Sequence, residues 1–197
     1  MKERPILFNT EMVQAILEGR KIQTRRIVKG EALDWLDSAG FTPKFVSDPG
    51  NFHSRYGYKG DILWVRETWV WEGDTKYTDV NPLGNFYYKA DFKGNDGPSK
   101  WKPSIHMPKE ACRLRLKITD VRIERLNDIS LDAAVKEGIL IDFYEMFQEC
   151  RYRDYMDINS NWRDPISSFK SLWESINGKD SWKVNPWVWV IKFEKLD

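Results

Sequence analysis

Cysteine and histidine are scarce, with two of each in 197 residues. Cys112 and Cys150 have no C-x-x-C spacing, and His53 and His106 stand alone. This excludes the common zinc and iron–sulfur patterns and a disulfide framework, so no metal and no cofactor is expected. Net charge is also nearly absent: 31 Lys and Arg face 30 Asp and Glu, a balance of +1. No chain-wide basic field draws nucleic acid, and any such binding rests on a local patch. No apolar run reaches the roughly 18 residues of a membrane helix, and no secretory leader is visible. The expectation is a soluble protein with no membrane partner, in a reducing cytoplasm that suits free thiols. Internal repeats, low-complexity tracts and clean linkers are missing too, so residues 1–197 read as one domain, long enough to bury its own core.

Aromatic rings are abundant instead: 10 Trp, 10 Phe and 8 Tyr. They serve an aromatic core or surfaces on which bases stack. Trp64, Trp69, Trp71, Trp187 and Trp189 lie in apolar runs, which assigns them to packing.

"PILF" at 5–8 reads as a strand, and "NTEMVQAILEG" as a helix capped by Thr10 and ended by Gly19. Residues 30–60 and 72–85 read as loop, and 93–111 as irregular. Ile62–Trp71 is a β-prone run, and "NFYYKADF" is a second. In "CRLRLKITDVRIERL" apolar residues alternate from Cys112 to Ile118, and then Val121 and Ile123 take over the apolar phase. That slip predicts a bulge near Thr119–Asp120. Ser130 caps a short helix ended by Gly138, and residues 143–156 suggest another. Asp164 and Pro165 open a helix whose buried stripe is Ile166, Phe169, Leu172, Trp173 and Ile176. A strand closes the chain. Strands and helices do not alternate regularly, which argues against a doubly wound parallel sheet. The fold class expected is α+β: a small mixed or antiparallel β-barrel with peripheral helices.

"GRKIQTRR" at 19–26 puts Arg20, Lys21, Arg25 and Arg26 around Thr24. One reading is an exposed basic strand edge, where Lys and Arg discourage pairing; the other is a working cleft. The order of parts bears on the choice. A helix is followed by Gly19-Arg20-Lys21-Ile22-Gln23-Thr24-Arg25, then Gly60-Asp61, a strand ending in "VRIERL", Glu137-Gly138 and a last strand. This order resembles the ASCH domain, a branch of the PUA-like β-barrel superfamily. "LWVRE", "PSIHMP" and "NPWVWVI" resemble the long ASCH proteins of phages and prophages. The likeness implies a PUA-like barrel with insertions at about 73–110 and 140–186, a modified nucleoside or RNA as partner, and a host cytoplasm if the chain is phage-encoded.

One small bacterial branch of that family hydrolyses the acetyl amide of N(4)-acetylcytidine with a lysine, a threonine three residues on and a glutamate from a later helix. By motif these fall on Lys21, Thr24 and Glu137. Amide hydrolysis needs a nucleophile, a proton acceptor and stabilisation of an oxyanion. Thr24 supplies the oxygen, and Lys21 accepts its proton only when neutral, about 3 units below its free pKa. In a regular strand Lys21 and Thr24 face opposite sides, so residues 19–24 are expected to depart from an ideal strand. Arg20, Arg25, Arg26, Arg66, Glu67 and His106 are the candidate substrate-binding groups. Arg66 and Glu67 have an internal salt bridge as their plainer reading, and His106 a structural role. Arg113, Arg115 and Lys117 read as a solvated face. The alternatives to a hydrolase are a non-catalytic RNA or nucleotide reader using the same pocket, and a metal-independent ribonuclease. Oligomeric state is left open.

Overall fold

The run with the slipped phase forms the central strand of the protein. In the computed structural model, which describes residues 1–196 except 52, 74–83, 95–96, 145–148 and 158, this strand is Arg115–Arg125. It pairs antiparallel with the closing strand, Trp187–Leu196. Lys192 faces Asp120 while the next residue, Phe193, faces Ile118, so Thr119 is the extra residue of a bulge. The apolar alternation of the sequence changes phase at this point for that reason.

Numbered in chain order, the strands are β1 (Glu3–Leu7), β2 (Gln23–Ile27), β3 (Ile62–Arg66), β4 (Trp69–Gly73), β5 (Gly84–Tyr88), β6 (Arg115–Arg125), β7 (Ile141–Tyr144), β8 (Glu149–Arg153), β9 (Asn161–Trp162) and β10 (Trp187–Leu196). The helices are α1 (Thr10–Leu17), α2 (Glu31–Asp37), α3 (Pro43–Val46), α4 (Leu131–Lys136) and α5 (Pro165–Asn177). The main sheet is mixed, in the order β1-β3-β6-β10-β2, with β1 parallel to β3 and the other pairs antiparallel. Two small sheets, β4-β5 and β7-β8-β9, stand apart from it.

The architecture is α+β, but the main sheet is not a closed barrel. No ladder joins the edge strands β1 and β2 among the described residues. They meet instead through a side chain: Arg26 on β2 donates from Nη2 to the Leu7 carbonyl at the end of β1, at 2.7 Å. A guanidinium thus stands where a backbone ladder would close the sheet.

Other departures from the sequence reading have local causes. The helix-1 cap is Asn9, whose side chain accepts from the Met12 N–H at 2.9 Å, and Thr10 is the first helical residue. Residues 30–60 hold α2 and α3, because buried Ala32, Leu36 and Val46 anchor short helices between turn residues. The Ile62–Trp71 run divides at Glu67–Thr68 into strands of two different sheets. In place of a helix at 143–156, β7 and β8 pair antiparallel; residues 145–148 and 158, and 74–83 of the expected loop, lie outside the described residues. Ser130 and Asp164 cap α4 and α5 as read, accepting from the Ala133 and Ser167 N–H groups. In the α5 stripe, Phe169, Leu172 and Trp173 are buried, whereas Ile176 is 54% exposed. Val188 to Ile191 are buried in succession, so both faces of β10 are covered there. No helix among the described residues is long and apolar enough to cross a membrane.

One close approach positions everything that follows. The end of α4 meets the residue after α1: Lys21 and Glu137 form an isolated antiparallel bridge. The Lys21 N–H donates to the Ala15 carbonyl and the Ile22 N–H to the Lys136 carbonyl. Gly138 makes this possible. Its φ is +86°, and a Cβ there would lie 2.7 Å from the Lys21 Cβ and 2.9 Å from the Ala15 Cβ. Gly138→Ala should therefore cost more than the about 1–3 kcal/mol of a left-handed alanine alone. Gly19→Ala, at φ +74° with open space around it, should cost only the backbone part. Urea unfolding of the two variants tests this; equal losses would show that the contact with Lys21 does not matter.

Candidate functional site

Along β2, alternate residues point at α4. Lys21 Nζ donates to Glu137 Oε2 at 3.0 Å and to the Glu137 main-chain oxygen at 2.8 Å. Gln23 Nε2 donates to the Ala133 carbonyl at 2.8 Å, and Arg25 Nη1 to Glu137 Oε1 at 2.7 Å. Positions 21, 23 and 25 share a face because strand side chains repeat every second residue. The carbonyls they meet lie at the end of α4: the Ala133 oxygen also accepts from the Glu137 N–H, and the Glu137 oxygen lies past the last helical turn. Lys21, Thr24, Arg25 and Glu137 are 3%, 4%, 4% and 2% exposed.

A cavity of about 90 Å³ opens beside this cluster. Lys21, Thr24, Arg25, Arg26 and Glu137 line it together with Phe8, and α5 supplies Phe169, Leu172, Trp173, Ile176 and Asn177. Lys21 and Thr24 reach one space although strand alternation sends them to opposite faces. The cavity follows the edge of β2 that no strand covers, and both faces are accessible from an edge. Residues 19–24 also depart from a regular strand: Gly19 is left-handed, Lys21 makes a lone bridge and β2 begins at Gln23.

The charges can be counted. Glu137 lies between Lys21 and Arg25, and Arg25 also pairs with Glu124. Arg26 lines the same cavity, with Lys21 Nζ and the Arg26 guanidinium 5.8 and 5.1 Å from the Phe8 ring centre. Three cations therefore face two carboxylates. Removing one proton from Lys21 balances the group. Burial lowers the Lys21 pKa below the ordinary 10.5; Glu137 opposes the shift, and Arg26 and Arg25 add to it. Two of the Nζ hydrogen-bonding directions are taken by Glu137, through its carboxylate and its main-chain oxygen.

The other residues singled out in the sequence lie outside this cavity. Arg20 pairs with Glu18 and donates to the Gly138 carbonyl. Arg66 donates to the Met107 and Ile105 carbonyls on a neighbouring groove. Glu67 is buried in a bidentate pair with Arg113, both contacts 2.9 Å, and burial pushes its carboxyl up against the lowering effect of that arginine. His106 is exposed on a 3₁₀ turn. Arg25 lines the cavity, but its guanidinium is committed to Glu137 and Glu124, so it holds the cluster. Sequence reasoning missed Glu124 and Gln23; Glu124 lies between Arg122 and Arg125 on β6 and carries no separate signal. Among the described residues, no group of three or more His, Cys, Asp or Glu is arranged to hold a metal ion.

Comparisons with protein-family models, curated proteins and solved structures found no match.

Breaking a buried ion pair costs about 3–5 kcal/mol because the surviving charge is stranded. Arg25→Met should lose stability on that scale in urea unfolding, since it leaves buried Glu137 with Lys21 alone and Glu124 with Arg122 alone. A loss under about 1 kcal/mol, the level of an exposed pair, would mean that the cluster is solvated.

Proposed function

We propose that the chain is an ASCH-type protein of the PUA-like group that hydrolyses an amide on a modified base such as N(4)-acetylcytidine. In this reading the main sheet is the wall of a PUA-like barrel left open between β1 and β2, and the smaller sheets with α5 are additions around it. One observation carries the proposal: buried Lys21, whose Nζ donates to the carboxylate and the main-chain oxygen of Glu137, lines one cavity with Thr24.

The chemistry follows from that arrangement. Thr24 Oγ1 attacks the acetyl carbonyl carbon while Lys21 Nζ accepts the hydroxyl proton. The positive charge of Arg26 on the cavity wall stabilises the oxyanion. The carbon–nitrogen bond breaks as Lys21 returns the proton to the leaving exocyclic nitrogen. The base leaves at this point; water, deprotonated by the same amine, then attacks the threonine ester, the acyl–Oγ1 bond breaks, Lys21 returns the proton to Thr24 Oγ1, and acetate is released. Glu137 is a positioning residue: it orients Lys21. A non-catalytic reader would use the same cavity to hold a base without turnover, and a metal-independent ribonuclease would act on the strand.

Incubation with N(4)-acetylcytidine, related acylated nucleosides and short RNAs separates these readings. The hydrolase reading expects acetate release, lowered about 10²–10⁴-fold in Lys21→Ala and at least as far in Thr24→Ala. Binding without turnover favours the reader, and RNA cleavage that survives both substitutions places activity elsewhere. The pH profile carries a sign. A protonated Lys21 cannot accept a proton, so kcat should fall as pH drops through the lowered pKa of Lys21, below 10.5. Lys21→Arg, charged throughout, should be inactive at every pH. A wild-type rate that falls as pH rises through neutrality would refute Lys21 as the base.

A further inference from the structure

The Lys21 cavity, at about 90 Å³, is far below the roughly 300 Å³ at which ordinary ligand sites begin. It admits an acyl group and the edge of a ring, not a whole nucleoside. The remainder of any such substrate needs adjoining space; one cavity of about 510 Å³ meets Lys21 from the side of Ile22 and Phe193 and includes Glu18 and Glu194, and the other side is lined by cations. A second cavity of about 260 Å³ shares Arg26, Ile27 and Asn177 with the first. Lys29, His53, Arg55 and Tyr56 complete much of its wall. A third, of about 280 Å³, continues past Arg26, Arg55 and Tyr56 to Arg66.

We propose that the second cavity is a phosphate subsite, in which Lys29 and Arg55, with Arg26 at its inner wall, hold a phosphate of a substrate whose base enters the Lys21 cavity.

Four cations, Arg26, Lys29, Arg55 and Arg66, line these two adjoining cavities, and no carboxylate among the described residues does. The chain as a whole is nearly neutral, so this segregation is local. Lys29 and Arg55 are exposed and pair with no carboxylate among the described residues. By contrast, Arg25, Arg113 and Arg122 each meet two acids. The wall also holds unsatisfied groups. The Arg26 Nε and His53 Nε2 atoms are buried without hydrogen-bond partners. The His53 side chain is only 6% exposed; Glu31 approaches its Nδ1 at 3.7 Å and does not line the cavity. Orphan polar atoms beside unpaired cations are the arrangement that a phosphate, with its several acceptor oxygens, satisfies. A phosphate there would sit one arginine away from the reacting carbonyl.

This inference rests on the reading of the Lys21 cavity as a base site, but its test does not depend on turnover. The probes are cytidine, cytidine 5′-monophosphate and a cytidine trinucleotide, none of which carries the amide, measured by calorimetry with wild type and with the Lys29→Ala/Arg55→Ala double variant. The monophosphate or the trinucleotide should bind at least about 10-fold more tightly than cytidine, as charge-assisted contacts allow. Inorganic phosphate should compete, and the double variant should reduce the advantage to less than about 3-fold. Arg55→Lys should retain part of it. A monophosphate as tight as the trinucleotide assigns the phosphate to a nucleotide; a tighter trinucleotide assigns it to a strand, with binding that weakens steeply in salt. Equal affinity for all three probes, no binding of any of them, or an advantage that survives the double variant overturns the subsite. Acetyl-nucleoside turnover is measured separately, so a hydrolase without a phosphate subsite and a phosphate binder without hydrolysis give different results.

Discussion

A carboxylate held out of water between two cations organises this protein. Glu137 is 2% exposed, and an ion placed there costs several kcal/mol unless its partners and hydrogen bonds are nearly complete. Arg25 and Lys21 supply that completion from β2, and Gly138 removes the Cβ that would keep α4 from Lys21. The short pattern Glu-Gly is therefore one device: the acid binds the cations and the glycine permits the approach. Because Arg25 lies on the edge strand and Lys21 just before it, the constraint also fixes how β2 meets α4.

The same constraint shapes the chemistry available. An edge strand exposes consecutive residues of both faces, which brings Thr24 and Arg26 from one face to a cavity that Lys21 and Arg25 line from the other. α5 roofs the space with Phe169, Leu172 and Trp173, lowering the local dielectric and strengthening every charge inside. In such a place three cations against two acids is an unstable count, and a lysine is the only one of the three that can readily lose a proton. The proposed hydrolysis and the adjoining phosphate subsite both draw on this segregation of positive charge. One uses its buried end and the other its exposed end, with Arg26 between them.

Much of this was legible in the sequence where local chemistry decides the outcome. Ser130 and Asp164 announced their caps, and the phase slip in β6 located the bulge at Thr119. Gly19 and Gly138 marked left-handed ends. What escaped depends on distant contacts. Asn9 rather than Thr10 caps α1, because two capping residues stand side by side and tertiary entry selects one. α2 and α3 are too short for a periodic signal and exist through the anchoring of Ala32, Leu36 and Val46. The β7–β8 pair is aromatic-rich, which period alone does not separate from a helix over so few residues. The separation of Arg25, fixed inside the cluster, from Lys29 and Arg55, free outside it, requires knowing that Glu124 and Glu137 lie on one side of β2. No spacing in the chain reveals that.

The most direct measurement is an NMR titration of the Lys21 side-chain amine, assigned by its loss in Lys21→Arg. A midpoint well below the ordinary lysine value of 10.5, set apart from the exposed lysines, is the predicted result. A Lys21 amine that keeps its proton as long as the surface lysines do, or longer, would contradict it, because Glu137 would then hold a permanent cation and Thr24 would have no base beside it.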